Sequence, residues 1–412
     1  EAKDIKYCTK HLVLCKKGRI FAQILTTCAM TSILSFNSYI ENNIKDNWDK
    51  DALTDYKGAT LQYHDVARKI EKLHILFENS GVQKGDKIAI CGRNSSHWAV
   101  AFLATLTYGA VIVPIQNEFT PEQIHNIVNH SESKLLFVGD VVATTIDTEA
   151  MPDLEGVIYI PDYSLVLSRS EKLSYAREHL NELFGKKYPK YFHQEHVAYH
   201  KDGSEELAMI NYTSGTTGFS KGVMIPYRAL WGNLDFTVRS FGPHVHAGDH
   251  ILSTLPMAHT YGMACEIIFG FLNGCHIHFL TKTPSPHVVI KAFGEIKPVV
   301  VIVVPLILEK IVQKQIFPIL RTRHIRTLTA IPMLRQVIYR QIRNKLYSAL
   351  GGNFYECIIG AAAFNKEVKD FLHQIRFPYT VGYGMTECGP IIGYEDKHIF
   401  AKGSCGKPAP RM

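Results

Sequence analysis

Residues 211–222 read NYTSGTTGFSKG. Thr213, Ser214, Thr216 and Thr217 each supply a hydroxyl donor, and Lys221 ends in a mobile positive charge. Gly215 and Gly218 allow backbone angles that a side chain would forbid. Backbone N–H groups, hydroxyls and a cation in one short stretch have the makings of a phosphate cradle. The pattern is not the Walker form, because the lysine lies outside the glycine frame and Gly222 follows it. Composition alone favours a flexible Gly/Ser/Thr surface loop. The apolar LAMI stretch before it (Leu207–Ile210), the lysine after it and the absence of any acid favour an anion site. Chemistry at this level does not say which nucleotide is held.

Three more stretches carry groups that could act on such an anion: GDHILSTLPMAHTYG (248–262), GAAAF (360–364) and GYGMTE (382–387). Each is modest alone. The elements around them follow one scheme. ATLQYHDVARKIEKLHILFENSG (59–81) reads as a strand turning into an amphipathic helix closed by Gly81. Residues 85–116 read strand, loop, helix, strand. SKLLFVGD (133–140), GVIYIP (156–161), LAMI, HIHFL (276–280) and KPVVVIVVP (297–305) read as further strands, the last suited to a sheet buried on both faces. The polar stretch 166–206 reads as a helix and a loop. ECIIGAAAF (356–364) and PYTVGYGMTECGP (378–390) run from strand into loop. The alternation predicts a parallel α/β fold, in which loops at the carboxyl ends of strands bind ligands.

The 412 residues exceed one ordinary core, so two or three lobes are expected. No apolar run approaches the roughly 18 residues that span a bilayer. The net charge of +7 divides into +9 between Lys310 and Lys345, +4 over residues 1–29 and −6 for everything else. This is not a uniformly basic nucleic-acid binder, and with the positive charge confined to one segment and no recognised motif a nucleic-acid partner is disfavoured. The basic, apolar-interleaved segment 310–345 suits an anionic membrane surface or an anionic ligand, or is a solvated helix face. Nine scattered cysteines with no CxxC pair predict buried thiols of a cytosolic protein. His276 and His278 alternate like strand residues; without further ligands at metal spacing they are expected to mark one face of a strand. Met30 reads as the natural start, with 1–29 a non-native or disordered upstream segment rather than a secretory signal. The end at GKPAPRM looks cut inside a domain.

In this order and at these separations, TSGTTG–SKG, LPMAHTYG, GAAAF and YGMTE resemble the adenylate-forming superfamily of acyl-CoA synthetases, luciferases and peptide-synthetase adenylation domains. The resemblance runs from about Leu53 to Met412. The VIVVPLILEK segment and the basic insert are similar to the long-chain fatty acid–CoA ligase branch. This implies a layered αβαβα large domain of two α/β sublobes over 30–395, a β-rich subdomain begun at 396–412 and cut short, and an absent C-terminal lid. It also implies that Thr213, Ser214, Gly215, Thr216, Thr217, Gly218 and Lys221 close over the phosphates of ATP. His259, Tyr261 and Gly262 would border the acid. Ala361 and Ala362 would lie beside the adenine, with Tyr383 stacked on it and Gly384 and Met385 adjoining. Thr386 would bond the α-phosphate and Glu387 would hold Mg²⁺. Thr386, Glu387 and Lys221 are the catalytic candidates.

Ser220 stands where the family usually has proline, and GAAAF where it often begins with two glycines. The implied reaction takes a fatty acid, ATP and coenzyme A to acyl-AMP and then acyl-CoA, in the cytoplasm or at the inner membrane surface. An acyl-AMP ligase loading a carrier protein and a lidless nucleotide binder are the alternatives. The family's downstream TGD motif and lid lysine do not occur in 1–412. Loss of one such charge costs at least ~100-fold in rate, so these residues alone are expected to bind nucleotide weakly and catalyse little.

Overall fold

The Tyr63–Ser80 helix shows how the sequence writes its elements. Val66, Ala67, Ile70, Leu73 and Phe77 recur every three or four residues and are all buried. The Asp65 side chain accepts from the Gln62 backbone at the start. Gly81, at φ 87°, ends the helix by donating to the carbonyls of Phe77 and Glu78. The Ser96–Tyr108 helix is opened by Ser95, whose hydroxyl accepts from the Trp98 N–H, and is ended by Gly109 at φ 88°. It is buried on nearly every side, as its almost wholly apolar sequence requires.

The computed structural model describes residues 35–213, 221–281, 286–401 and 403–409. The strands are β1 (Asp51–Asp55), β2 (Thr60–Gln62), β3 (Lys87–Cys91), β4 (Val111–Ile115), β5 (Ser133–Val138) and β6 (Gly156–Tyr159). They continue with β7 (Leu165–Ser168), β8 (Leu207–Thr213), β9 (Lys221–Pro226), β10 (His250–Ser253), β11 (His276–Phe279) and β12 (Val300–Val303). Last come β13 (Glu356–Ile359), β14 (Tyr379–Val381), β15 (Tyr383–Gly384), β16 (Ile391–Tyr394) and β17 (Lys407–Pro408).

One sheet has the order β7-β6-β5-β3-β4-β8-β9, parallel except for its two outermost pairs. A second has the order β10-β11-β1-β2. A parallel triplet β12-β13-β14 runs on from it: the Val299 N–H donates to the His250 carbonyl at 2.9 Å. β15, β16 and β17 form a small antiparallel sheet.

The helices Tyr63–Ser80 and Ser96–Tyr108 pack between the first two sheets, sharing a core with Ile88, Ile90 and Ile112 on one side and Leu53 and Ile277 on the other. The outer face of the first sheet is covered by Ile124, Ile127 and Val128 of the Pro121–His130 helix. The far side of the triplet is covered by Val289 and Phe293 and by Val368 and Leu372. The layers thus run helix, sheet, helix, sheet, helix, the αβαβα order expected.

Three readings are corrected. Residues 165–168 form an unexpected strand, β7, ahead of the helices Glu171–Glu178 and Leu180–Lys187 and the loop that fill the rest of this stretch as expected; it adds an antiparallel edge to the first sheet. Cys91, Cys265, Cys275 and Cys357 are buried free thiols as expected, but Cys388 and Cys405 are exposed. His276 and His278 do not stand alone: the parallel register sets His250 opposite His276. Sequence spacing could not show this, because the two strands are joined by 22 intervening residues (254–275). The basic segment is buried at its start, where Ile311, Val312 and Phe317 join the core beside the triplet, and folds as exposed helices from Arg323 onward. None of the residues in Arg323–Ala330 is buried, and in Pro332–Ala349 only Leu346 is.

Candidate active site

The loops expected to act together leave the carboxyl ends of β8, β10, β13 and β14. After β10 the chain makes the LPMAHTYG turn, and three polar side chains from elsewhere hold it. Asn94 donates to the Leu255 carbonyl at 2.7 Å and accepts from the Met257 N–H at 3.0 Å. Asn211, on β8, donates to the Ala258 carbonyl at 2.9 Å. Glu266 is fully buried and accepts from the Ser253 hydroxyl at 2.8 Å, the Thr254 N–H at 3.0 Å and the Leu255 N–H. Burial pushes the Glu266 carboxyl up to about 8, with those donors acting the other way. Gly262 has no alternative, because a Cβ there would lie 2.6 Å from the Pro256 carbonyl oxygen.

His259 caps the short turn that follows, its Nδ1 accepting from the Tyr261 N–H at 3.1 Å. Burial lowers its pKa, so the ring is neutral at pH 7. The Tyr261 hydroxyl donates to the Ile358 carbonyl at 3.3 Å. Its ring packs on Gly360, where a Cβ would come within 3.0 Å. Thr260 and Thr386 bring their hydroxyl oxygens to 3.4 Å, joining the HTYG turn to the YGMTE loop.

The YGMTE loop is pinned from behind. Asn233, on the Tyr227–Phe241 helix, donates to the Gly389 carbonyl and accepts from the Ile391 N–H at 3.4 Å. Gly384 is forced, since a Cβ would fall 2.2 Å from the Pro390 carbonyl oxygen. Ala361 has φ +69°, a left-handed conformation that glycine adopts without strain and alanine does not. The structure thus gives a physical reason for glycine early in such a segment.

A cavity of about 150 Å³ opens where these loops meet. His259, Thr260, Tyr261, Ala361, Tyr383, Gly384, Met385 and Thr386 line it, with Phe236, Phe241 and Tyr394 forming an aromatic wall. Tyr383 is 55% exposed, leaving a ring face available for stacking. Gly262 and Ala362 adjoin the cavity in sequence without lining it. Glu387 lies in the Thr386–Cys388 turn and is exposed. It has no hydrogen bond or ion pair among the described residues. One carboxylate beside substrate phosphates is how Mg²⁺ is usually bound, so the donor set fits that ion. Thr213 and Lys221 face each other as the last paired rung of β8 and β9. β9 in turn packs on the turn that carries Glu387. Ser214, Gly215, Thr216, Thr217 and Gly218 lie outside the described residues.

Sequence reasoning missed Asn94, Asn211, Asn233 and Glu266. Only Glu266 left a visible signal, a single carboxylate inside the apolar run MACEIIFGFL.

Residues 40–412 match the family described as AMP-binding enzyme. Among curated proteins the chain is 24% identical over 382 residues to long chain acyl-CoA synthetase 3 of Arabidopsis thaliana, covering 85% of this chain and 55% of that protein. It is 26% identical over 399 residues to 4-coumarate–CoA ligase 5 of Oryza sativa subsp. japonica, covering 94% and 65%. The chain therefore spans just over half to about two thirds of the length of these relatives. Among solved structures, the anthranilate CoA ligase AuaEII in complex with anthranoyl-AMP superposes with a TM-score of 0.69 at 17% identity, over 93% of this chain and 65% of that one. The layering, the converging loops and a match over nearly the whole chain lead to one conclusion: this chain belongs to the AMP-binding enzyme family.

Proposed function

We propose that the whole protein uses ATP to activate a carboxylic acid and then passes the acyl group to coenzyme A, the acid being a long-chain fatty acid. The carrying observation is the convergence of residues 259–261, 360–361 and 382–386 on one cavity beside the β8–β9 hairpin. In the first step a carboxylate oxygen attacks the α-phosphorus, and the bond to pyrophosphate breaks. In the second the thiol attacks the acyl carbon, and AMP leaves. Both partners of the first step are anions, so the site must place donors and positive charge where they meet. Lys221 and the 213–218 stretch would hold the phosphates. Thr386 would donate to the α-phosphate, and Tyr383 would stack on the adenine. Glu387 would hold Mg²⁺, which would supply charge neutralisation at the phosphates. Neutral His259 would border the carboxylate without adding a competing charge, and Tyr261, bonded to Ile358, would keep that wall in place.

The test is acid-dependent release of pyrophosphate by the full-length protein, with a long-chain fatty acid and 4-coumarate as rival acids. Preference for the fatty acid supports the proposal. Release with neither acid refutes activation of these acids, and preference for 4-coumarate moves the substrate to an aromatic acid. That second reading has its own support in the narrow cavity walled by Phe236, Phe241 and Tyr394.

The exposed helices suggest where such a protein would meet its substrate. Ile331, Leu334 and Val337 are well exposed and Met333 is 81% exposed, amid Arg335, Arg340 and Arg343. Apolar side chains among arginines suit an anionic bilayer surface. Among the described residues no helix is long and apolar enough to cross a membrane, so this contact would be peripheral. Co-flotation with anionic but not neutral liposomes is expected. Equal behaviour with both would refute it.

A further inference from the structure

Away from the cavity, the parallel register of β10 and β11 gathers three imidazoles on one face of the second sheet. One nitrogen from each of His250, His276 and His278 lies within 4.8 Å of the other two. The ring centroids of His276 and His278 are 4.1 Å apart, and those of His250 lie 5.3 and 5.1 Å from them. We propose that His250, His276 and His278 form a binding site for a divalent transition-metal ion of the zinc class.

Three features beyond proximity support the site. First, the rings are already oriented. His250 Nδ1 and His278 Nε2 share a hydrogen bond at 2.9 Å, and Thr54 Oγ1 lies 2.6 Å from His276 Nε2, as an outer partner that fixes a ligand ring should. Second, the rings are uncharged. Burial and mutual repulsion hold His276 at about 4 and His278 at about 3, so both are neutral at pH 7 with a lone pair to give. Asp51 lies near enough to favour positive charge beside His276. Third, the ion has a way in, since His250 sits at the exposed start of β10.

Proton bookkeeping is simple. Each neutral imidazole has one N–H and one lone pair. The ring that donates in the His250–His278 bond moves its N–H to its other nitrogen, so both can ligate without net proton release. Imidazole suits zinc, copper and nickel, whereas magnesium and calcium prefer oxygen. Three ligands leave a coordination position for water or an external group. The ion would bridge β10 to β11 a few residues before β10 enters the LPMAHTYG turn.

The test uses the 412-residue chain with no histidine tag, stripped of metal and titrated with Zn²⁺ and separately with Co²⁺. Expected are one equivalent of Zn²⁺ bound and, with Co²⁺, the visible absorption of a low-symmetry nitrogen site. H250A and H278A should each weaken binding at least tenfold, whereas H246A should leave it unchanged. Because His250 is exposed, H250A should keep the wild-type circular dichroism and urea midpoint, which separates loss of a ligand from loss of the fold. Absence of stoichiometric binding, or binding that survives both H250A and H278A, would overturn the proposal.

Discussion

Replacing Glu266 with glutamine is the most informative single change in the site's support. The carboxyl is buried and raised to about 8 from an ordinary 4.5, so it is largely protonated in the folded protein at pH 7 and largely ionised in the unfolded chain. An acid raised in the folded state contributes its full stability below the unfolded pKa and loses it as pH rises toward the folded pKa. Each pH unit in that window is worth about 1.4 kcal/mol, so the wild type should lose about 3 kcal/mol between pH 5 and pH 7 through this group. Glu356, raised to about 7 by burial, adds a loss of the same sign. The difference between wild type and Glu266→Gln cancels that second contribution, because both proteins keep Glu356. At pH 5 the glutamine amide, facing the N–H groups of Thr254 and Leu255, should cost about 1–3 kcal/mol. By pH 7 the gap should have closed or reversed, since glutamine does not titrate. Urea unfolding followed by tryptophan fluorescence at pH 5, 6, 7 and 8 measures it. A gap that stays constant across this range would refute the raised pKa and the role drawn from it.

Gly384→Ala should cost about 2–3 kcal/mol in urea stability and abolish binding of a fluorescent AMP analogue, because the new methyl would overlap the Pro390 carbonyl. Ala361→Gly should be neutral or stabilise by up to about 1 kcal/mol: relief of the left-handed strain, about 1–2 kcal/mol, outweighs the extra freedom of glycine in the unfolded chain. A loss of stability there would contradict the strain. Asn94→Ala should cost about 2 kcal/mol by leaving the Leu255 carbonyl and Met257 N–H without their partner. Limited proteolysis should then cut within residues 254–262 faster than in the wild type.

What could be read from the sequence was what short-range physics decides. β3, the Ser96–Tyr108 helix and β4 were legible because apolar spacing, a serine cap and Gly109 all lie within 30 residues. The cavity's lining was legible through motif resemblance, which named seven of its residues without giving their geometry. Asn94 and Asn211 were not legible, because each acts on a loop more than 40 residues away through one side-chain amide of ordinary appearance. The histidine trio was missed for the same reason. His276 and His278 announce themselves by alternation, but His250 joins them only through strand register.

The pairing of β1 with β11 has a consequence for how the protein is made. Leu53 lies opposite Ile277, more than two hundred residues downstream. A ribosome adding about 5–20 residues per second needs roughly 10–50 s to supply that partner. Until then β2 covers one edge of β1 and the other stays open, an unpaired strand edge of the kind that recruits wrong neighbours. β1 is thus synthesised long before the strand that completes its pairing. Crowded, fast synthesis should therefore be hardest on this protein's yield, and slower synthesis or a chaperone that shields strand edges should recover it.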